Sequence, residues 1–238
     1  MTTDPPSISR GHGIVRVGGL AVDRTTATDA ARDYLSGQGQ YGYPVYDGFD
    51  GGGDAWRLTD GDLLAPALLN VPVRLPAFYA LQSVRPQLEA WLGQTAPDAR
   101  LVDASDEDLE RLGELFSLLD SGIPGVRGVI LAKVMHRKRP TFIPLYDRFV
   151  YHCYVGPDDT APLKIEPKRS WHDFMILLSQ AMQADLRRET EWFQSLTELA
   201  FGSVSITPLR ALDIVTWSSG RAQATTAGLS LDGDEEDQ

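Results

Sequence analysis

One short pattern, a Ser or Thr followed three residues later by Asp, punctuates the chain at Thr26–Asp29, Thr59–Asp62, Ser105–Asp108 and Ser170–Asp173. A hydroxyl at a helix N-cap accepts from the backbone N–H three residues on, and the acid there returns a bond to the N–H of the cap. Each copy is therefore expected to open a helix. Apolar residues follow at helical spacing: Ala27, Ala30, Ala31, Tyr34 and Leu35 with the first copy, and Leu109, Leu112, Phe116 and Leu119 after the third. Trp171, Phe174, Leu177, Leu178, Ala181 and Met182 follow the fourth. Thr207-Pro208 adds another start, because Pro suits a first helical turn.

Glycines mark the expected stops at Gly37, Gly122, Gly202 and Gly220. Pro66 should kink or divide the second helix, and Pro76 and Pro86 should each start a separate segment, near 76–83 and 85–92. Trp91 and Leu92 are expected to face the core, and a further helix is expected over about 190–201. Strand character is confined to a hairpin of Ile14–Val17 and Leu20–Val22 around Gly18-Gly19. The fold class is thus mainly α, a helical globular domain over residues 14–220. Residues 1–13 and the acidic tail 221–238 are expected to be disordered, and 37–53 and 156–167 to be loops.

A net charge of −11 argues against indiscriminate DNA binding. The lone Cys153 excludes an internal disulfide and any multi-cysteine metal or iron–sulfur centre, and it reads as a core residue. Asp47, Asp50 and Asp54 lack the spacing of a calcium loop, and His136, His152 and His172 lack that of a zinc site. No cofactor is implied. The opening MTTDPPSISR has no signal-peptide pattern, and no apolar run approaches the roughly 18 residues of a membrane span, so the expectation is a cytoplasmic protein with no membrane partner.

The acidic balance reverses in one stretch. Between Ile123 and His152 stand Arg127, Lys133, Arg137, Lys138, Arg139 and Arg148 against Asp147 alone. The turn Ile123-Pro124-Gly125-Val126 leads into a helix over 127–136, and Pro144-Leu145-Tyr146-Asp147 leads into another over 148–155. The backbone of Gly125, Val126, Arg127 and Gly128 is then a candidate phosphate holder, with Lys133, Arg137, Lys138 and Arg139 as its cations. Two plainer roles stand beside these: Asp147 as an N-cap, and the 136–139 run as cations at a helix C-terminus.

The order of turn, helix, Pro and Asp resembles the helix-hairpin-helix and catalytic-aspartate segment of the base-excision DNA glycosylase superfamily. Pro124 and Asp147 are separated by the interval of its adenine-removing branch, and Pro144 falls at that branch's proline. The resemblance covers only residues 122–154. It implies a helix-hairpin-helix within 105–155, DNA as partner, a base flipped from the stack, and Asp147 stabilising a glycosyl cation or orienting water. Arg127 stands where the family has its second hairpin Gly, and Gly128 where bifunctional members carry their Schiff-base Lys, which implies base excision without strand cleavage. The run His136–Pro140 also resembles an uncharacterised family of bacterial proteins sharing a Lys-Arg-Pro…Pro…Tyr-Asp signature, which implies no activity. Two functions are compatible with the residues: monofunctional base excision by Asp147, or a non-catalytic interaction or structural protein on the same scaffold.

Overall fold

The structure, a computed structural model, describes residues 13–38, 41–52 and 54–226. The expectations for the first twelve residues and for the acidic run Asp232–Asp237 lie outside the described residues.

Two of the capping patterns form reciprocal boxes as expected. Thr59 opens α2 (Asp60–Leu64) and Ser105 opens α4 (Asp106–Ser117), each with its Asp bonded back to the cap N–H. Ser170 caps α7 (Trp171–Arg188) through the Asp173 N–H. The first helix differs. Asp23 takes the Thr26 N–H and hydroxyl at 2.8 and 2.9 Å, so α1 (Arg24–Tyr34) begins before Thr26. Asp23 also ends the hairpin of β1 (Ile14–Val17) and β2 (Leu20–Asp23), which pairs Val17 with Leu20 around Gly18, φ 59°. That turn rests on the end of α6 (Arg148–Tyr154), where Gly19 N–H donates to the Cys153 carbonyl at 2.7 Å.

Prolines behave in two ways. Pro66 converts the end of α2 into a 3-10 turn over Ala65–Leu69, closed by left-handed Asn70. Pro86 does not break its helix: α3 runs unbroken over Leu75–Gln94. Leu81 lies before Pro86 and Leu88, Trp91 and Leu92 after it, all buried, so the packing of one apolar face outweighs the lost backbone bond.

The remaining elements are α5 (Gly128–His136), a two-residue parallel pairing of β3 (Val155–Gly156) with β4 (Leu163–Lys164), α8 (Thr190–Thr197) and α9 (Pro208–Thr226). The parallel pairing was not expected within the 156–167 loop. Among the described residues the architecture is mainly α with two small sheets. No helix there is long and apolar enough to cross a membrane. Helix α4 lies along α7, and α9 packs against α1, α6 and α8, around a core that contains all nine residues of α5.

Helix α9 does not stop at Gly220 but continues to Thr226, so residues 221–226, expected to begin the tail, are helical. A Cβ on Gly220 would lie 2.6 Å from the Phe149 carbonyl oxygen. The glycine permits the close crossing of α6 and α9 rather than ending a helix. Alanine ordinarily stabilises a helix interior by about 1 kcal/mol over glycine. Here the clash is expected to reverse the sign, and Gly220→Ala should destabilise the protein by about 1–3 kcal/mol in chemical denaturation.

Candidate functional site

Helix α5 carries the centre of the site, and glycines fix where it starts. Gly125, φ 71°, lies over the first turn of α3, where an added Cβ would be 3.2 Å from Ala77 N. Gly128 packs under Trp171, whose ring an added Cβ would meet at 2.2 Å. Neither α3 nor α5 has a side-chain cap; Arg74 and Arg127 occupy their N-cap positions. Their first-turn N–H groups therefore lack a side-chain acceptor and leave partial positive charge beside those two arginines.

Lys133 projects from α5 with its side chain 5% exposed, and its Nζ lies 3.9 Å from Asp147 Oδ2. Asp147 divides its two oxygens. Oδ1 accepts from Phe149 N and Val150 N at 2.9 and 3.1 Å and so caps α6, while Oδ2 is turned to the lysine. The cap role and a site role therefore coexist on one side chain.

The pair forms a wall between two cavities. The front cavity, about 610 Å³, is lined by Arg74, Gly125, Arg127 and Arg148 together with the pair. The rear cavity, about 300 Å³, is lined by Tyr34, Tyr41, Asp213, Trp217 and Arg221 together with the same pair. Tyr34 stacks on Tyr41 at 4.9 Å, and Trp217 sits edge-on to both. Behind them Arg210 forks onto Asp47 at 2.8 and 3.2 Å, donates to the Tyr34 hydroxyl and pairs with Asp213. Burial above all, with the negative charge of Asp147 adding to it, pushes the Asp213 carboxyl up to about 6.

The expected site residues separate into two groups. Gly125, Arg127, Lys133 and Asp147 meet at the front cavity, whereas Arg137, Lys138 and Arg139 turn inward. Arg139 is fully buried and donates to the carbonyls of Leu92, Thr95, Ala55 and Lys138. Lys138 pairs with buried Asp62 at 2.9 Å. Arg137 bonds the Phe49 and Asp47 carbonyls and lies over the Tyr46 ring. Arg137 and Arg139 hold the stretches around Asp47–Phe49 and Ala55 and the end of α3 onto the core, and Lys138 holds α2, so the three are corrected from phosphate ligands to internal braces. Cations at a helix C-terminus do describe Arg139, but the helix is α3. Val126 is buried and Gly128 is occluded by Trp171, which removes their side of the turn from any ligand.

His136 is buried too, bonded through Nδ1 to the Ile143 carbonyl at 2.7 Å, and burial pushes its imidazole down to about 4. Cys153 faces the Thr216 carbonyl, and burial pushes its thiol up to about 12, which suits a core residue. Sequence reasoning missed Arg74, Tyr41, Asp213 and Trp217. One signal was present: Arg210 and Asp213, charged and three residues apart, interrupt the apolar run Leu209–Val215.

The fold and site define a mainly helical protein with a carboxylate–ammonium pair at the wall of a cation-rimmed cleft. Over residues 27–220 the chain matches the family of unknown function DUF6308, and it belongs to that family. No curated protein matches it. No solved structure matches it either.

Proposed function

We propose that the protein binds DNA across the front cavity and releases a nucleobase by hydrolysing its N-glycosidic bond, with Asp147 as the acting carboxylate. The observation that carries this reading is the division of Asp147: Oδ1 is fixed by two N–H groups and Oδ2 faces Lys133 where the two cavities meet. A carboxylate held in this way needs no reorganisation when positive charge develops on a sugar ring beside it.

In this reading the sugar occupies the shared wall. A phosphate lies in front, between Arg74 and Arg127. The base lies behind, against Tyr41 and Trp217, where an aromatic face favours stacking. The C–N bond breaks with its electron pair leaving on the base nitrogen, and water adds to the sugar carbon and yields a proton to Asp147. The positive rim is local on an acidic protein, which disfavours binding elsewhere on its surface.

Fluorescence anisotropy with labelled duplex and single-stranded DNA over a salt series tests the binding step. Arg74 and Arg127 meeting phosphates give a log–log slope of about −1.8, and Arg127→Ala is expected to make it shallower by about 1. Absence of binding to either form at low salt removes the proposal. A panel of damaged and mismatched duplexes tests the chemistry, and binding without base release would leave a non-catalytic DNA binder.

A further inference from the structure

Two polar atoms of the rear cavity lack a partner that their chemistry calls for. The Tyr34 hydroxyl accepts from Arg210 Nη2 at 2.8 Å. A guanidinium only donates, so this bond occupies an oxygen lone pair and leaves the phenolic hydrogen directed elsewhere. That hydrogen meets no acceptor among the described residues, although Tyr34 is buried. Asp213 is in the converse state. Arg210 Nη1 bonds its Oδ2, while Oδ1 receives no hydrogen bond among the described residues. Paired with a guanidinium, Asp213 is a carboxylate at neutral pH and can only accept.

One planar group sets the spacing of the two. Arg210 also forks onto Asp47 through Nε and Nη2, at 2.8 and 3.2 Å, which fixes its plane. Its two terminal nitrogens then hold the Tyr34 oxygen and the Asp213 carboxylate side by side. Tyr34, Arg210 and Asp213 all line the rear cavity, next to the rings of Tyr41 and Trp217. The other cations of that cavity are engaged elsewhere. Lys133 faces Asp147 at 3.9 Å, and Arg221 lies over the Trp217 ring, 5.2 Å from its centre.

We propose that Tyr34 and Asp213 form a reading edge that takes a heterocycle carrying a hydrogen-bond acceptor beside a donor and turns away one that only accepts. This rests on the base-excision reading and names the chemical class of its leaving base. The Tyr34 O–H donates to the acceptor, and Asp213 Oδ1 accepts from the neighbouring amino or ring N–H group. A heterocycle without that N–H leaves the buried Oδ1 unmet, and a site built to bond an N–H discriminates steeply against its loss.

NMR titration of the intact protein at neutral pH with single heterocycles tests this without requiring turnover. The probes are 1-methylcytosine and 9-methyladenine, set against 1-methyl-2-pyrimidinone and 9-methylpurine, which lack only the amino group. Wild-type protein should prefer the amino-bearing probes at least about tenfold. Tyr34→Phe keeps the ring and its stacking and should weaken both amino-bearing probes about tenfold. In Asp213→Asn, Arg210 draws the amide oxygen and turns the NH2 into the cavity, so the edge becomes two donors. The preference should then reverse in favour of the accepting-only probes, which a merely structural role would not produce. Equal binding of both sets by wild type, binding of neither, or a preference unchanged in Asp213→Asn overturns the assignment. Base release from duplexes in that event would leave Asp147 and the excision reading in place. Selective binding with no base release from any duplex would remove excision and retain the edge as a heterocycle-binding site.

Discussion

Arg139→Ala is expected to destabilise the protein by about 4 kcal/mol or more, enough to unfold most of a marginally stable chain. The guanidinium is fully buried and donates five hydrogen bonds at 2.7–2.9 Å, all to backbone carbonyls. Two of those carbonyls, on Leu92 and Thr95, belong to the end of α3, where the Leu92 carbonyl also accepts a long 3.3 Å bond from the Thr95 N–H. Truncation leaves the buried Thr95 carbonyl without its donor, at about 1–3 kcal/mol, strips the charged donor from Leu92, Ala55 and Lys138, and removes the cation from the face of Trp56, 5.0 Å away. Lysine is not expected to rescue, because one ammonium cannot span the fork. Urea denaturation followed by circular dichroism decides the matter. Arg127→Ala, half-buried at the cleft, is the control, expected within about 0.5 kcal/mol of wild type. If Arg139→Ala proved as stable as this control while losing DNA affinity, the basic run would be a surface after all.

Asp147→Asn is expected to lower base release by about 10²- to 10⁴-fold with binding unchanged. The substitution is informative because asparagine caps a helix about as well as aspartate. The bonds from Phe149 N and Val150 N to Oδ1 therefore survive, and the loss falls on Oδ2 and its charge. Asp147→Ala removes both roles and should add about 1 kcal/mol of instability from the lost cap. An Asn variant as active as wild type would reduce Asp147 to a cap. Equal loss of activity and of melting temperature in both variants would point the same way.

What could be read from the chain depended on the range of the force involved. The starts of α2, α4 and α7 were legible because a cap is a bond between residues three apart. The α1 start was displaced because Asp23, just upstream, takes both the N–H and the hydroxyl of Thr26 and caps the helix earlier. Pro86 and Gly220 were misread for a common reason. Their local meaning is a break or a stop, yet packing on Leu81 and Leu88 in one case, and against Phe149 in the other, decided the outcome. The site divides along the same line. Asp147 was visible from the residues leading into its helix. The direction of Arg137, Lys138 and Arg139 was not, since charge density along a sequence says nothing about which side of a helix end turns inward. Asp213 and Trp217 had no local cue that tied them to Asp147, because they reach it only through the fold.

The residues behind Asp147 arrive from opposite ends of the chain: Tyr34 and Tyr41 early, Lys133 midway, and Asp213, Trp217 and Arg221 on the final described helix. During synthesis, then, the cleft can be half-built long before it has a back wall. A nascent chain can carry Asp147 and Lys133 and still present no enclosed chamber until α9 has been made and has settled between α1 and α6. The proposed activity is thereby tied to synthesis through α9, and a fragment that ends before Arg210 is expected to be inert even where its helices form.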